Sequence, residues 1–228
     1  MVPSGGHFFF VDHLDSPQLS DDDRHHAARS LRLRDGEEVS VGDGAGSWRR
    51  CRYVAGTLEV DGGVVIDTRP SPELCVGFAL TKGAKPELVV QKLTELGIDR
   101  IVPFEADRSV VRWEDNRAGR AHQRLVAVAR AAAMQSRRAW LPIVAPLTSF
   151  DGRDWGDRAV LADRSGRPPS IGDVTVLIGP EGGWSAEELS SGRSTVAFGE
   201  QVLRAETAAI AAGVVLGALR SGHIRHAG

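Results

Sequence analysis

Two stretches near the C-terminus combine glycines with ionisable side chains. The first is Leu177-Ile178-Gly179-Pro180-Glu181-Gly182-Gly183, and the second is Phe198-Gly199-Glu200-Gln201-Val202-Leu203-Arg204-Ala205-Glu206-Thr207-Ala208. Each follows a short apolar run that reads as a buried strand and leads into a helical pattern. Strand ends of this kind are where an open α/β sheet binds its ligand. Glycine there lets backbone N–H and C=O groups approach a ligand with no Cβ in the way. The helix start after Leu203 adds unpaired N–H groups that favour an anion or a carbonyl. Glu181, Arg204, Glu206 and Thr207 bring proton transfer and charge stabilisation within reach. The plain alternatives are a tight turn with a solvated Glu181 and a capped helix with an Arg204–Glu206 surface pair. Neither stretch is a Rossmann fingerprint or a Walker A loop, because the G-x-G-x-x-G spacing and the Gly-Lys-Ser/Thr run are missing. No cluster has metal-ligand spacing, so no metal is expected; His25-His26 is an isolated pair.

The elements that must hold these turns follow from the patterning. Residues 7 to about 70 read as β-rich, with strands at His7-Phe8-Phe9-Phe10-Val11, Glu38–Val41, Arg52–Ala55 and Gly63–Ile66. A short helix is expected from Asp21 to Leu33. Short strands with Gly/Asp turns suggest a small barrel or sandwich. Arg69-Pro70-Ser71-Pro72 reads as a linker. Beyond residue 73, strands alternate with helices. Strands are expected at Leu74–Leu80, Arg100–Phe104, Ala159–Ala162, Val174–Ile178 and Thr195–Phe198. Pro86 suits the first position of a helix that Gly97 stops. Asp115 suits the cap of a long helix running to about Gln135. Ser185-Ala186-Glu187-Glu188 matches a capping box, and Glu206 to Leu219 is the final helix. The alternation implies a mostly parallel sheet flanked by helices.

Composition sets outer limits. The chain has 228 residues, 42% hydrophobic and 25% charged, with a formal net charge of -2. That is one large domain or two unequal ones, with no global basic field. Local arginine clusters remain, at Arg24, Arg29, Arg32 and Arg34, at Arg49, Arg50 and Arg52, and at Arg137 and Arg138. Cys51 and Cys75 make neither a disulfide framework nor a metal motif, which fits a reducing compartment. No run reaches the length of a membrane span, and Met1 to Gly6 lacks a leader pattern. The expected location is the cytoplasm.

With these residues in view, the two turns resemble the cofactor loops of the SPOUT class of S-adenosylmethionine-dependent RNA methyltransferases. More narrowly, the chain resembles the ribosomal RNA small subunit methyltransferase E family, named for 16S rRNA (uracil(1498)-N(3))-methyltransferase activity. The likeness covers nearly the whole chain. His7-Phe8-Phe9-Phe10, His26, Leu31-Arg32-Leu33, Gly36 and Asp43-Gly44 match the family's first elements. Lys82-Gly83 and Gln91-Lys92-Leu93-Thr94-Glu95-Leu96-Gly97 match its K-G and Q-K-x-x-E-L-G elements. Arg108-Ser109-Val110-Val111 and Gln135-Ser136-Arg137-Arg138 match the next two, and the two turns match I-G-P-E-G-G and L-R-x-E-T-A. The chain departs from the pattern at His7, at Met134, and at Gly199-Glu200-Gln201, where the family has G-P-R.

The resemblance implies an N-terminal PUA-like β-barrel over residues 1–70 that binds RNA. It also implies a SPOUT methyltransferase domain over 73–228, an α/β parallel sheet closed by a trefoil knot. It implies a homodimer acting on 16S rRNA or the small ribosomal subunit, with S-adenosylmethionine as the methyl donor. Cofactor binding would fall to Leu161, Ala162 and Asp163, Ile178 to Gly183, Phe198 and Gly199, and Leu203 to Ala208. Leu161, Ile178 and Leu203 are the apolar walls expected around adenine. Arg204 would stabilise charge on the uracil ring, with Glu206 or Glu181 as proton acceptor and neither preferred. His7, Arg29, Arg32, Arg34, Lys82, Lys92 and Arg108 are the RNA-contact candidates, since arginine stacks on bases and pairs with phosphates. Another target nucleotide, or a non-catalytic RNA-binding assembly factor, are the competing readings.

Overall fold

A computed structural model of the chain describes residues 6–82, 85–113 and 115–224. Gly83 of the K-G element and the side chain of Asp115 lie outside the described residues, as does the start of the chain through Gly5. The chain divides into two compact units. One runs to Pro70 and takes in Arg130–Leu141; the other holds Ser71–Ala129 and everything from Pro142 onward.

The first unit is built on β1 (His7–Phe10), β2 (Glu38–Gly42), β3 (Ser47–Val54), β4 (Thr57–Val60) and β5 (Val65–Ile66). They form one five-stranded sheet in the order β1-β2-β3-β4, with β5 on β3; β1 runs parallel to β2 and the other pairs are antiparallel. The helix expected from Asp21 is α1 (Asp21–His25), capped by Ser20, whose Oγ accepts from the Asp23 N–H at 3.1 Å. It continues as a π-helical turn over His26–Leu31 and stops at Arg32, a non-glycine residue at φ 53°. Phe9, Val39, Val41, Cys51 and Tyr53 alternate along their strands and pack with Leu19 and Ala27. A second cluster gathers Phe8, Phe10 and Trp48 with Ala133 and Ala139. Arg130 pins α1 to this sheet: both guanidinium nitrogens reach Asp23, at 3.1 and 2.7 Å, and one also donates to Phe10 O.

The second unit is a seven-stranded sheet in which every pairing is parallel. Its strands are β6 (Cys75–Ala79), β7 (Arg100–Glu105), β8 (Ile143–Val144), β9 (Thr148–Ser149), β10 (Ala159–Arg167), β11 (Thr175–Ile178) and β12 (Thr195–Val196). The order is β12-β10-β11-β6-β7-β8, with β9 also on β7. The helices are α2 (Lys85–Glu95), α3 (Asp115–Gln135), of which the residues from Arg130 onward belong to the first unit, α4 (Ala186–Leu189) and α5 (Ala205–Arg220). Side-chain alternation splits each central strand between two cores, as a sheet covered on both faces requires. Val76, Phe78, Val160, Val176 and Ile178 join α2, α3 and α5 in one core. Cys75, Ala79, Leu161 and Leu177 join Phe104, Phe150, Trp155 and Trp184 in the other. The capping box at Ser185 is present with both hydrogen bonds.

One feature of β10 exceeds the expected Ala159–Ala162. After Leu161 and Ala162 pair with β12, the strand breaks register and pairs with β12 again through Arg167, whose C=O accepts from Ala197 N–H at 2.9 Å. Gly166 lies so close to β12 that a Cβ on it would sit 2.5 Å from Val196 N. Among the described residues, no helix is long and apolar enough to cross a membrane.

Candidate functional site

The parallel register sets the middle of β10 beside the C-terminal ends of β11 and β12. Ala162 is level with Ile178 on one flank and with Val196 on the other. The chain leaving β11 is the Gly179–Gly183 turn, and the chain leaving β12 is the Phe198–Leu203 loop. Both border a single cleft of about 230 Å³. Its walls include Ala162, Asp163, Ile178, Gly179, Pro180, Glu181 and Gly183 from the first side, and Phe198, Gly199, Leu203 and Ala208 from the second. The two turns are about 20 residues apart in sequence, and the crossover between them returns the chain to the same sheet edge.

Trp184 shapes the cleft floor. Its indole N–H donates to Ala162 O at 2.9 Å, and its ring stacks on Phe104 with centroids 6.1 Å apart. Gly179 has to be glycine for this: a Cβ there would meet the Trp184 ring at 2.9 Å. Asp163 opens a tight turn in which its carboxylate accepts from Ser165 N–H at 2.8 Å and Ser165 O–H at 2.6 Å. Those hydrogen bonds outweigh partial burial and hold its pKa below the ordinary value. An ionised, oriented carboxylate therefore stands at the border of the cleft.

An ionic cluster extends outward from Glu181 in the cleft wall. Lys85, in the first turn of α2, reaches Glu181 Oε1 at 3.0 Å and Glu206 Oε1 at 3.2 Å. The Glu181 bond comes first and the Glu206 bond second in pushing the lysine pKa up. Burial raises the Glu206 carboxyl. Its own backbone N–H, the Lys85 ammonium and the Arg204 charge outweigh that and leave it lowered. Arg204 is the N-cap residue of α5, in extended conformation and with no side-chain cap bond. A cation at a helix N-terminus gains nothing from the helix dipole, whereas Glu206 in the first turn does.

The structure sorts the remaining candidates. The Leu161 side chain packs in the aromatic core and is not among the cleft-lining residues. Period-two alternation is the reason, since its neighbour Ala162 takes the cleft side. Gly182 turns away towards Arg108, which donates to its C=O at 3.3 Å. Arg204, Glu206 and Thr207 stand at the α5 start beside the cleft rather than in its walls. Lys92 is held by Glu95 on its own helix, at 2.8 and 3.0 Å. Lys82 is exposed. In the other unit, His7 is half-buried in β1, and Arg29, Arg32 and Arg34 are exposed around the π-helical turn. Met134, where the family pattern has glutamate, lies against Arg130, with Sδ 3.4 Å from Nη1. Gln201, at the missing arginine, lines the cleft. The sequence reading missed Lys85, Trp184, Arg164 and Val202. For Lys85 a signal existed, as a second lysine three positions after Lys82.

A parallel sheet with two glycine turns around one cleft at its strand ends, joined to a small β unit, defines a two-unit α/β ligand-binding protein. Comparison with known proteins narrows this. The profile described as RNA methyltransferase domain matches residues 69–217, and the one described as RNA methyltransferase PUA domain matches residues 19–60. Ribosomal RNA small subunit methyltransferase E of Mycobacterium bovis is 31% identical over 93% of this chain and 92% of its own length. The chain belongs to the ribosomal RNA small subunit methyltransferase E family of RNA methyltransferases. Solved structures share its fold. A candidate methyltransferase of Legionella pneumophila, solved with bound SAM, superposes with a TM-score of 0.81 at 24% identity, covering 94% of this chain and 98% of that one. The family member from Neisseria gonorrhoeae, bound to S-adenosyl methionine, superposes with a TM-score of 0.78 at 24% identity and the same coverage.

Proposed function

We propose that this protein transfers a methyl group from S-adenosylmethionine to N3 of a uridine in small-subunit ribosomal RNA. The observation that carries the reading is the meeting of the two glycine turns on one cleft, in a chain of this family. The Mycobacterium bovis relative is named as a methyltransferase of small-subunit ribosomal RNA, and the Neisseria gonorrhoeae structure holds the donor.

The cleft residues fit such a donor. Ile178, Phe198, Leu203 and Ala208 give apolar walls for the faces of an adenine, and the backbone of the two turns gives its edge hydrogen-bond partners. Asp163 is fixed and ionised for a hydroxyl or an ammonium. The donor, when bound, supplies an electrophilic methyl group on a sulfonium sulfur. The protein has to align it with the nucleobase and manage the N3 proton. Arg204 stabilises negative charge on the uracil ring as a fixed cation. Glu206 and Glu181 are the acceptors within the same cluster.

The target base must lie outside regular pairing or be flipped out. Arg29, Arg32, Arg34 and His7 serve the RNA from the β unit, and Lys82 and Arg108 from the other. Residues 1–70 and 73–228 are the working division between RNA binding and methyl transfer. The second pairing of β10 with β12 supports a trefoil knot, and a cytoplasmic homodimer completes the reading. The test is mass mapping of modified nucleosides in ribosomal RNA from cells lacking the gene, paired with calorimetry of the protein against S-adenosylmethionine. One N3-methyluridine should disappear from the small-subunit RNA, and the donor should bind. Unchanged nucleosides with no binding would refute the proposal and favour a non-catalytic assembly factor.

A further inference from the structure

Glu181 and Glu206 come from different turns and share one cation. Lys85 Nζ sits 3.0 Å from Glu181 Oε1 and 3.2 Å from Glu206 Oε1. Their other surroundings differ. The Glu181 side chain is 52% exposed, so water serves its carboxylate. The Glu206 side chain is 13% exposed, and its Oε2 is buried with no hydrogen-bond partner among the described residues. A buried carboxylate oxygen without a donor is costly, so a donor brought by a bound ligand would be stabilising there.

We infer that Lys85 is a positioning residue for methyl transfer, clamping the two turns so that Glu206 Oε2, rather than Glu181, accepts the uridine N3 proton. The inference rests on the methyltransferase reading above. In the step, the N3–methyl bond forms as the methyl–sulfur bond breaks. The electron pair of that bond stays on the sulfur, which becomes a neutral thioether, and the N3 proton passes to Glu206 Oε2. Lys85 touches neither reactant. It fixes one carboxylate oxygen and leaves the other to act.

Among the described residues, the charged groups facing Glu206 are Lys85 from α2, Arg204 on its own turn and, across Lys85, Glu181 from the turn after β11. β6 and β11, which pack against α5, present no charged side chain. Both cations favour the carboxylate, which agrees with its lowered pKa. The sign follows. A lowered pKa keeps the acceptor ionised into acid, and removing Lys85 must move its protonation upward.

The test reads Glu206 directly. Carboxyl-¹³C glutamate NMR of the ligand-free protein follows the titration, with E206Q identifying the resonance. K85M should raise the midpoint by about one pH unit or more, the scale of a lost neighbouring charge. K85R should restore it. The acid limb of the single-turnover methylation rate should move with it. Should K85M fail to fold, K85Q serves the same comparison. An unmoved midpoint, or a moved midpoint with an unmoved acid limb, overturns the inference while wild-type methylation still stands. A wild-type protein that neither binds S-adenosylmethionine nor methylates RNA sinks the methyltransferase reading, and this inference with it.

Discussion

Replacing Gly166 by alanine tests whether the double pairing of β10 with β12 sets the cleft. The added Cβ would lie 2.5 Å from Val196 N and 2.6 Å from both Thr195 C and Val196 C. Those are backbone atoms held in the β10–β12 ladder, so no side chain can rotate away. Ordinary carbon contacts need roughly 1 Å more than this. Either β12 or the returning end of β10 must therefore move. Overpacking of this kind costs about 1–3 kcal/mol where flexible groups give way, and backbone contact puts the cost near the upper end, about 3 kcal/mol. For a chain of this size that is a fall in Tm of about 6–12 °C. Val196 borders the cleft and leads into the Phe198–Leu203 loop, so displacement should also weaken ligand binding. A loss of about tenfold in S-adenosylmethionine affinity corresponds to about 1.4 kcal/mol. Differential scanning calorimetry and isothermal titration of G166A against the native protein measure both. Native Tm and native affinity together would refute the claim that this crossing shapes the site.

Two further outcomes concern the supports of each unit. Asp99, buried, pairs with Arg220 at the end of α5 and accepts from Leu74 N–H at 3.0 Å. D99A leaves the largely buried Arg220 without its counter-charge, and urea unfolding should show a loss of about 3–5 kcal/mol. A loss under about 1 kcal/mol would contradict the pairing as a support. In the first unit, burial raises the Asp23 carboxyl, but hydrogen bonds from Arg130 and Ser20 outweigh it and hold it below its ordinary 3.8. Its stabilising contribution is therefore complete above about pH 4 and lost as pH falls through the lower folded value. Urea unfolding between pH 2 and 6 should show that slope in the native protein and a shallower one in D23N; equal slopes would refute it.

The strand and helix order of the larger unit was legible because its signals are local. Period-two and period-3.6 apolar patterns, the Ser185 capping box and Gly97 at φ +87° each act within a few residues. The same holds for the two glycine turns, whose residue types announce chemistry before any fold is known. Elements built from two-residue pairings, such as β8 and β9, carry too little pattern to be read. The π-helical turn after α1 has no sequence period of its own.

Side-chain direction at the cleft depended on register. Leu161 and Ala162 are both small enough and apolar enough to line a pocket, and only the pairing of β10 with β11 and β12 assigns one to the aromatic core and the other to the cleft. Lys85 lies 96 residues from Glu181 and more than that from Glu206, so no spacing rule joins them. Chemistry at single positions is written in residue type and short-range period, which the chain carries along its length. Which groups meet is decided by parallel crossovers that bring distant strand ends to one edge, and that is a property of the folded sheet alone.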